Sequence, residues 1–260
     1  MQVRLRFVLT GLALTAAIYF GLTVWQAHQR ASLVGLTDRA CTAQGEPVTG
    51  NPFDDWASLC FYRARNAALL AAGTRPGVVM IGDSITMGWP DQGPETVEGA
   101  VVSRGIGKQS SSQILLRFMQ DAAGLKPRVI HLLAGTNDIA GTTGPVTPQQ
   151  LHGNLLAMVE LARANGIPVI LGTIPPASGF DEGKPGDPRA AIAKATRQIR
   201  AIAASRPGVV IADYHAALSQ PDGSIRPDLF LDGVHPNATG YGAMQRVFDR
   251  ALAEAVKSIS

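Results

Sequence analysis

Along this chain, short unbroken apolar runs alternate with longer stretches in which apolar residues recur at helical spacing. The runs are residues 78–81, 100–103, 128–134, 168–174 and 209–212. They are short, β-branched in part and bounded by Gly, Pro or polar residues, which is the pattern of strands buried on both faces. Helical patterns occupy about 111–123, 148–165, 188–205 and 239–258. An earlier one runs from Asp54 or Asp55 to about residue 72, with Asp54 as cap and Trp56, Leu59, Cys60 and Tyr62 on its apolar stripe. Strands that alternate with such helices predict a parallel sheet covered on both faces, a three-layer α/β/α domain with five strands.

One apolar run is of another kind. Arg4 and Arg6 precede an uncharged stretch, residues 7–25, of 19 residues. That is close to the length that spans a hydrocarbon core as a helix. No small-residue cleavage signal follows Trp25, so the stretch reads as an uncleaved signal anchor, with secretion after cleavage as the alternative. The arginines would stay in the cytoplasm and the remainder would face outward. This divides the chain into an N-terminal anchor (1–25), a Gly- and Pro-containing linker (26–52) and a folded domain (53–260). It also makes the expected location periplasmic or otherwise extracytoplasmic. In that compartment Cys41 and Cys60, the two cysteines of the chain, could pair.

Composition narrows the function classes. At 260 residues and 46% apolar, the chain is suited to one sizeable core. The net charge of +3 is spread without a Lys/Arg-rich run, so no nucleic-acid partner is expected. Two cysteines exclude a disulfide-dense scaffold, and no cluster has metal-ligand spacing, so neither metal nor cofactor is expected.

In parallel α/β sheets, ligands bind beyond the carboxyl ends of the strands. The first three strands run into Gly82-Asp83-Ser84-Ile85, then Arg104-Gly105-Ile106-Gly107-Lys108, then Gly135-Thr136-Asn137-Asp138. Before the last helix comes Asp232-Gly233-Val234-His235-Pro236. Each segment alone is an ordinary turn; their joint occurrence in these loops is what points to chemistry. A serine hydroxyl needs a base to become a nucleophile, and histidine titrates near neutrality. A carboxylate on the other ring nitrogen fixes the tautomer. Asp232 lies three residues before His235, and Pro236 biases His235 away from helical geometry. Acyl transfer further needs donors for an oxyanion. Candidates are the Ser84 N–H, the backbone of the 105–108 turn and the Asn137 side-chain amide. Asp83 and Asp138 read as loop-fixing carboxylates.

These four segments resemble the blocks of the SGNH/GDSL hydrolase family, named for its Ser, Gly, Asn and His. The resemblance covers about residues 55–255. It implies a flavodoxin-like sheet and esterase or lipase-like activity. By the same resemblance Ser84 is the nucleophile, His235 the base, Asp232 its partner, and Asn137 with the Gly-rich turn the oxyanion hole. One departure stands out. Family members often carry Gly-Gly or Ser-Gly followed by Asp or Gln in the second block, where this chain has Gly107-Lys108. The donor therefore stays open among Gly105, Gly107 and Lys108, with Gly107 first and Lys108 next.

Other features carry less. Residue 86 is Thr, so Ser84 is not in a G-x-S-x-G elbow. His131 reads as a core residue, His152 as a solvated helix face, and His215 as the rival base. The segment from Pro175 to Pro188 is expected to flank the substrate, with Phe180 as an apolar contact. The expected function is a serine ester hydrolase acting on a small-molecule, glycan or lipid ester. An O-acyltransferase and a non-catalytic binding module are the alternatives.

Overall fold

The five apolar runs become five parallel strands: β1 (Val78–Gly82), β2 (Val101–Gly105), β3 (Val129–Leu133), β4 (Val169–Gly172) and β5 (Val209–Ala212). The structure, a computed structural model, describes residues 17–25, 40–89, 99–180 and 186–257. The sheet order is β2-β1-β3-β4-β5, the flavodoxin-like order. The chain steps from β1 to β2 and then returns past β1 to β3, so the topological switch point lies between β1 and β3. Strands β1, β3 and β4 are buried at every position, which accounts for their unbroken apolar sequence.

Eight helices accompany the sheet among the described residues of the domain. They are α1 (Arg63–Ala71), α2 (Ser84–Met87), α3 (Ser111–Asp121), α4 (Thr136–Ala140), α5 (Pro148–Ala164), α6 (Arg189–Ala204), α7 (Tyr214–Leu218) and α8 (Ala238–Lys257). Strand side chains alternate between two cores. Val79, Ile81, Ile130, Leu132 and Leu171 pack against residues of α1, α3, α5 and α6, among them Leu69, Phe118, Leu155 and Ile199. Met80, Val129, Leu133, Ile170 and Val210 pack against α7 and α8 through Tyr214, Met244 and Phe248.

The long helices start where their caps place them. Ser110 with Gln113 and Thr147 with Gln150 form capping boxes at α3 and α5. The single helix expected over 54–72 is not formed. Pro52–Asp55 is a short 3-10 turn, and α1 begins only at Arg63. Ser58 sits at φ 56, outside helical geometry. The carbonyls of Trp56, Ala57 and Leu59 accept instead from the side-chain amides of Gln113, Gln109 and Gln120. Those carbonyls are thereby drawn to α3 and its lead-in.

The chain divides into two compact units, Met1–Asp55 and Trp56–Ser260. In the first, residues 17–25 are helical and exposed, and Cys41 pairs with Pro47 in an antiparallel bridge. Residues 7–16 of the expected membrane span, and 26–39 of the expected linker, lie outside the described residues. Among the described residues no helix is long and apolar enough to cross a membrane. Neither Cys41 nor Cys60 is a free thiol; both are disulfide-bonded.

Candidate active site

The end of β1 and the start of α2 set the position of Ser84. Asp83 is the N-cap of α2: its Oδ1 accepts from the Ile85 N–H at 3.0 Å. Ser84 is the first helical residue and is half-buried at the sheet's carboxyl edge. The approach of strands to helix here excludes larger residues. A Cβ on Gly82 would lie 2.4 Å from the Leu133 carbonyl oxygen, and one on Gly105 only 2.1 Å from the Met87 nitrogen.

His235 reaches the same edge from the far end of the sequence. Its loop is closed by an antiparallel bridge between Phe230 and Pro236, with the Leu231 N–H bonded to the His235 carbonyl at 2.8 Å. The Ser178 N–H binds the Gly233 carbonyl at 2.9 Å, so the segment after β4 braces this loop. The result is a linear chain of bonds. Ser84 Oγ lies 3.0 Å from His235 Nε2, and His235 Nδ1 lies 2.9 Å from Asp232 Oδ2. Asp232 Oδ1 accepts the backbone N–H groups of Val234 and His235, both at 2.7 Å. Partial burial pushes the Asp232 carboxyl up, but the His235 and Val234 hydrogen bonds outweigh it and hold the group below the usual carboxylate range.

The other expected residues follow β2 and β3 at the same edge of the sheet. Asn137, in α4, donates from Nδ2 to the Gln109 carbonyl at 3.0 Å and accepts at Oδ1 from the Thr142 hydroxyl at 3.1 Å. Those two bonds fix which way the amide faces. Gly107 lies against the serine, since a Cβ there would be 4.0 Å from Ser84 Cβ. Gly105 packs against the α2 backbone, and its carbonyl accepts from the Tyr62 hydroxyl at 2.6 Å. Lys108 is exposed and held at φ 65, a left-handed conformation unusual for a side-chain-bearing residue.

Asp138 does not face the serine chain: its carboxylate accepts from the Ser111 N–H at 2.8 Å and from the Ser111 hydroxyl. Asp83 is fully buried, and its carboxyl is raised to about 7, chiefly by desolvation. His215 hydrogen-bonds through its backbone N–H to Thr173; the ring paired with Ser84 is that of His235. His131 is buried in β3 with Nε2 2.8 Å from the Tyr214 hydroxyl, a core residue as expected. Phe180 is half-buried against the first core, and residues 181–185 lie outside the described residues. Among the described residues no group of three or more His, Cys, Asp or Glu side chains is arranged to hold a metal ion.

Sequence reasoning missed Tyr62, Gln109, Arg117 and Tyr241, which tie this edge together from beneath. Tyr241 donates to the Ile85 carbonyl at 2.9 Å. The one available signal for Arg117 was a lone arginine amid apolar residues in α3.

A serine, an imidazole and a carboxylate in line, at the carboxyl edge of a parallel α/β sheet, place the domain among the ester-bond hydrolases. The comparison with known proteins is specific. The chain belongs to the GDSL-like lipase/acylhydrolase family, whose model matches residues 80–243. A GDSL-like lipase structure from Bacteroides thetaiotaomicron is 33% identical, with a TM-score of 0.69 over 77% of this chain and 99% of that one. A multidomain esterase of Ruminococcus flavefaciens is 36% identical over 137 residues, which is 50% of this chain and 16% of that protein. An uncharacterised lipoprotein of Bacillus subtilis is 34% identical over 79 residues, 29% of this chain and 32% of that protein. The chain thus spans a third or less of these two curated relatives.

Proposed function

We propose that residues 53–260 form an extracytoplasmic serine ester hydrolase that works through an acyl-enzyme on Ser84. The observation that carries this is the continuous chain Ser84 Oγ, His235 Nε2, His235 Nδ1, Asp232 Oδ2, with links of 3.0 and 2.9 Å. Ser84 attacks the ester carbonyl as its proton passes to His235 Nε2. The tetrahedral oxyanion is received by the backbone N–H groups of Ser84 and Gly107, with Lys108 adjoining, and by Asn137 Nδ2. His235 then gives the proton to the leaving alkoxide. Water, deprotonated by the same imidazole, releases the acid and regenerates the serine. No step calls for a cofactor.

Met87 and Leu231 are exposed beside Ser84 and Asp232 respectively, an apolar rim suited to an acyl or alkyl group, and Phe180 is the further apolar contact. The extracytoplasmic location is supported by the lipoprotein relative and by the absence of a free thiol at Cys41 and Cys60. In this reading those two cysteines pair with each other, the apolar stretch 7–25 is the export signal or anchor, and residues 26–52 are the linker. The test is hydrolysis of p-nitrophenyl esters of increasing acyl length by the full chain and by Ser84→Ala. The variant is expected to lose at least about 10³-fold in kcat. Equal rates in the two proteins would remove Ser84 from the mechanism.

A further inference from the structure

The oxyanion side of the site rests on a residue that touches no substrate. Arg117, in α3, is fully buried. Its guanidinium donates from Nη2 to the Gly82 carbonyl at 2.9 Å, from Nη1 to the Arg104 carbonyl at 2.8 Å, and from Nε to Gln109 Oε1 at 2.6 Å. Asp121, equally buried, balances the charge at 3.2 Å. Each of the three neutral acceptors belongs to a different part of the site. Gly82 lies two residues before Ser84. Arg104 leads into the 105–108 turn. Gln109 closes that turn, and its own carbonyl receives Asn137 Nδ2 at 3.0 Å.

The turn itself is under strain, with Lys108 at φ 65. A side-chain-bearing residue persists in that region only where its surroundings over-determine it. The contacts of Arg117 supply such a constraint at both ends of the turn, through the Arg104 carbonyl before it and the Gln109 side chain after it. Gln109 is held in turn by its Nε2 bond to the Ala57 carbonyl at 3.0 Å.

We propose that Arg117 is a positioning residue for the oxyanion hole: one guanidinium fixes the backbone that presents Gly107 and, through Gln109, the amide of Asn137. This rests on the reading of Ser84, Gly107 and Asn137 given above. A planar fork with five N–H donors can hold three separated acceptors at once; a lysine ammonium is a single compact point and cannot span them.

The experiment is a double-mutant cycle on ester hydrolysis by the full chain, with Arg117→Lys, Asn137→Ala and the pair. Misplacing donors by a fraction of an ångström to an ångström should lower kcat by about 10- to 100-fold while KM stays within about threefold. Because part of the effect of Arg117 runs through Asn137, adding Arg117→Lys to Asn137→Ala should cost less than it costs alone. A merely structural role would give multiplying effects. Equal factors in both backgrounds, or a raised KM with unchanged kcat, would overturn the proposal. If Arg117→Lys does not fold, the same cycle with Gln109→Met decides by the same criteria. Ser84→Ala separates the two ideas. Activity surviving in Ser84→Ala defeats the reading of the site. An inert Ser84→Ala beside wild-type kcat in Arg117→Lys and Gln109→Met defeats only this inference.

Discussion

Replacing Asp232 by asparagine tests whether the carboxylate sets the tautomer of His235, and the local geometry dictates the outcome. Asp232 Oδ1 receives two backbone N–H groups, both at 2.7 Å. An amide nitrogen cannot accept them, so in Asp232→Asn the carbonyl oxygen must take that side. The NH2 group is then turned toward His235 Nδ1, where Oδ2 stood at 2.9 Å. It donates to Nδ1, and the single proton of the neutral ring moves to Nε2, the nitrogen 3.0 Å from Ser84 Oγ. That nitrogen can no longer take the serine proton. The loss is of general-base catalysis, worth about 10²–10⁴-fold. The Asp232 and His235 side chains are 54% and 41% exposed, so water competes with the amide for the ring and some productive tautomer survives. The expected fall in kcat is therefore about 10²–10³-fold, at the lower end of that range. KM and the unfolding midpoint should scarcely change. The assay is steady-state hydrolysis of a p-nitrophenyl ester, with urea unfolding in parallel. A variant within about threefold of wild-type kcat would refute the tautomer argument.

Two further outcomes follow from burial and packing. Burial drives the His131 imidazole down to about 3, below its ordinary value near 6.5. The unfolded chain therefore takes up this proton first as pH falls. The associated stability is complete above about 6.5 and drains away toward pH 3, by at most about 1.4 kcal/mol per pH unit. Urea unfolding should lose less between pH 7 and pH 5 in His131→Gln than in the wild type; identical losses would count against the assignment. Gly105→Ala would set a Cβ 2.1 Å from the nitrogen and 2.6 Å from the Cα of Met87. These are main-chain atoms that no rotamer change can relieve. Overpacking of this kind costs about 1–3 kcal/mol, and because the displaced helix begins at Ser84, kcat should fall too. Wild-type stability and kcat would show that β2 and α2 tolerate separation here.

Helix α3 shows most clearly where reading the sequence reaches its limit. By hydropathy alone, Leu115, Leu116 and Met119 of this helix rank for burial above Arg117 and Asp121. The fold does the reverse for four of these. Leu116 and Met119 are exposed, while Arg117 and Asp121 are fully buried. Hydropathy ranks a residue by its own transfer free energy and takes no account of a partner. Arg117 can be buried because Asp121, Gln109 and two strand-end carbonyls satisfy it, and breaking such a pair typically costs about 3–5 kcal/mol. The short helices α2, α4 and α7, four or five residues each, were illegible for another reason. One turn contains no period to detect, and their formation depends on strand ends already fixed by the sheet.

By itself the sequence determined the strands, the long helices and the loops that carry Ser84, Gly107, Asn137 and His235. Unbroken apolar runs admit burial on both faces, and parallel strands bring their carboxyl ends to one edge. The spacing of Asp232 and His235 set a local relation, which the structure realises as a hydrogen bond. Only the tertiary structure decided what depends on distance through space. Ser84 and His235 are 151 positions apart and meet because the bridge between Phe230 and Pro236 and the bond from Ser178 to Gly233 hold the His235 loop at the end of β1. Close packing against α2 made Gly105 a spacer and left Gly107 facing the serine. A buried guanidinium holds the strained turn between them, since its partners come together only when the sheet has closed.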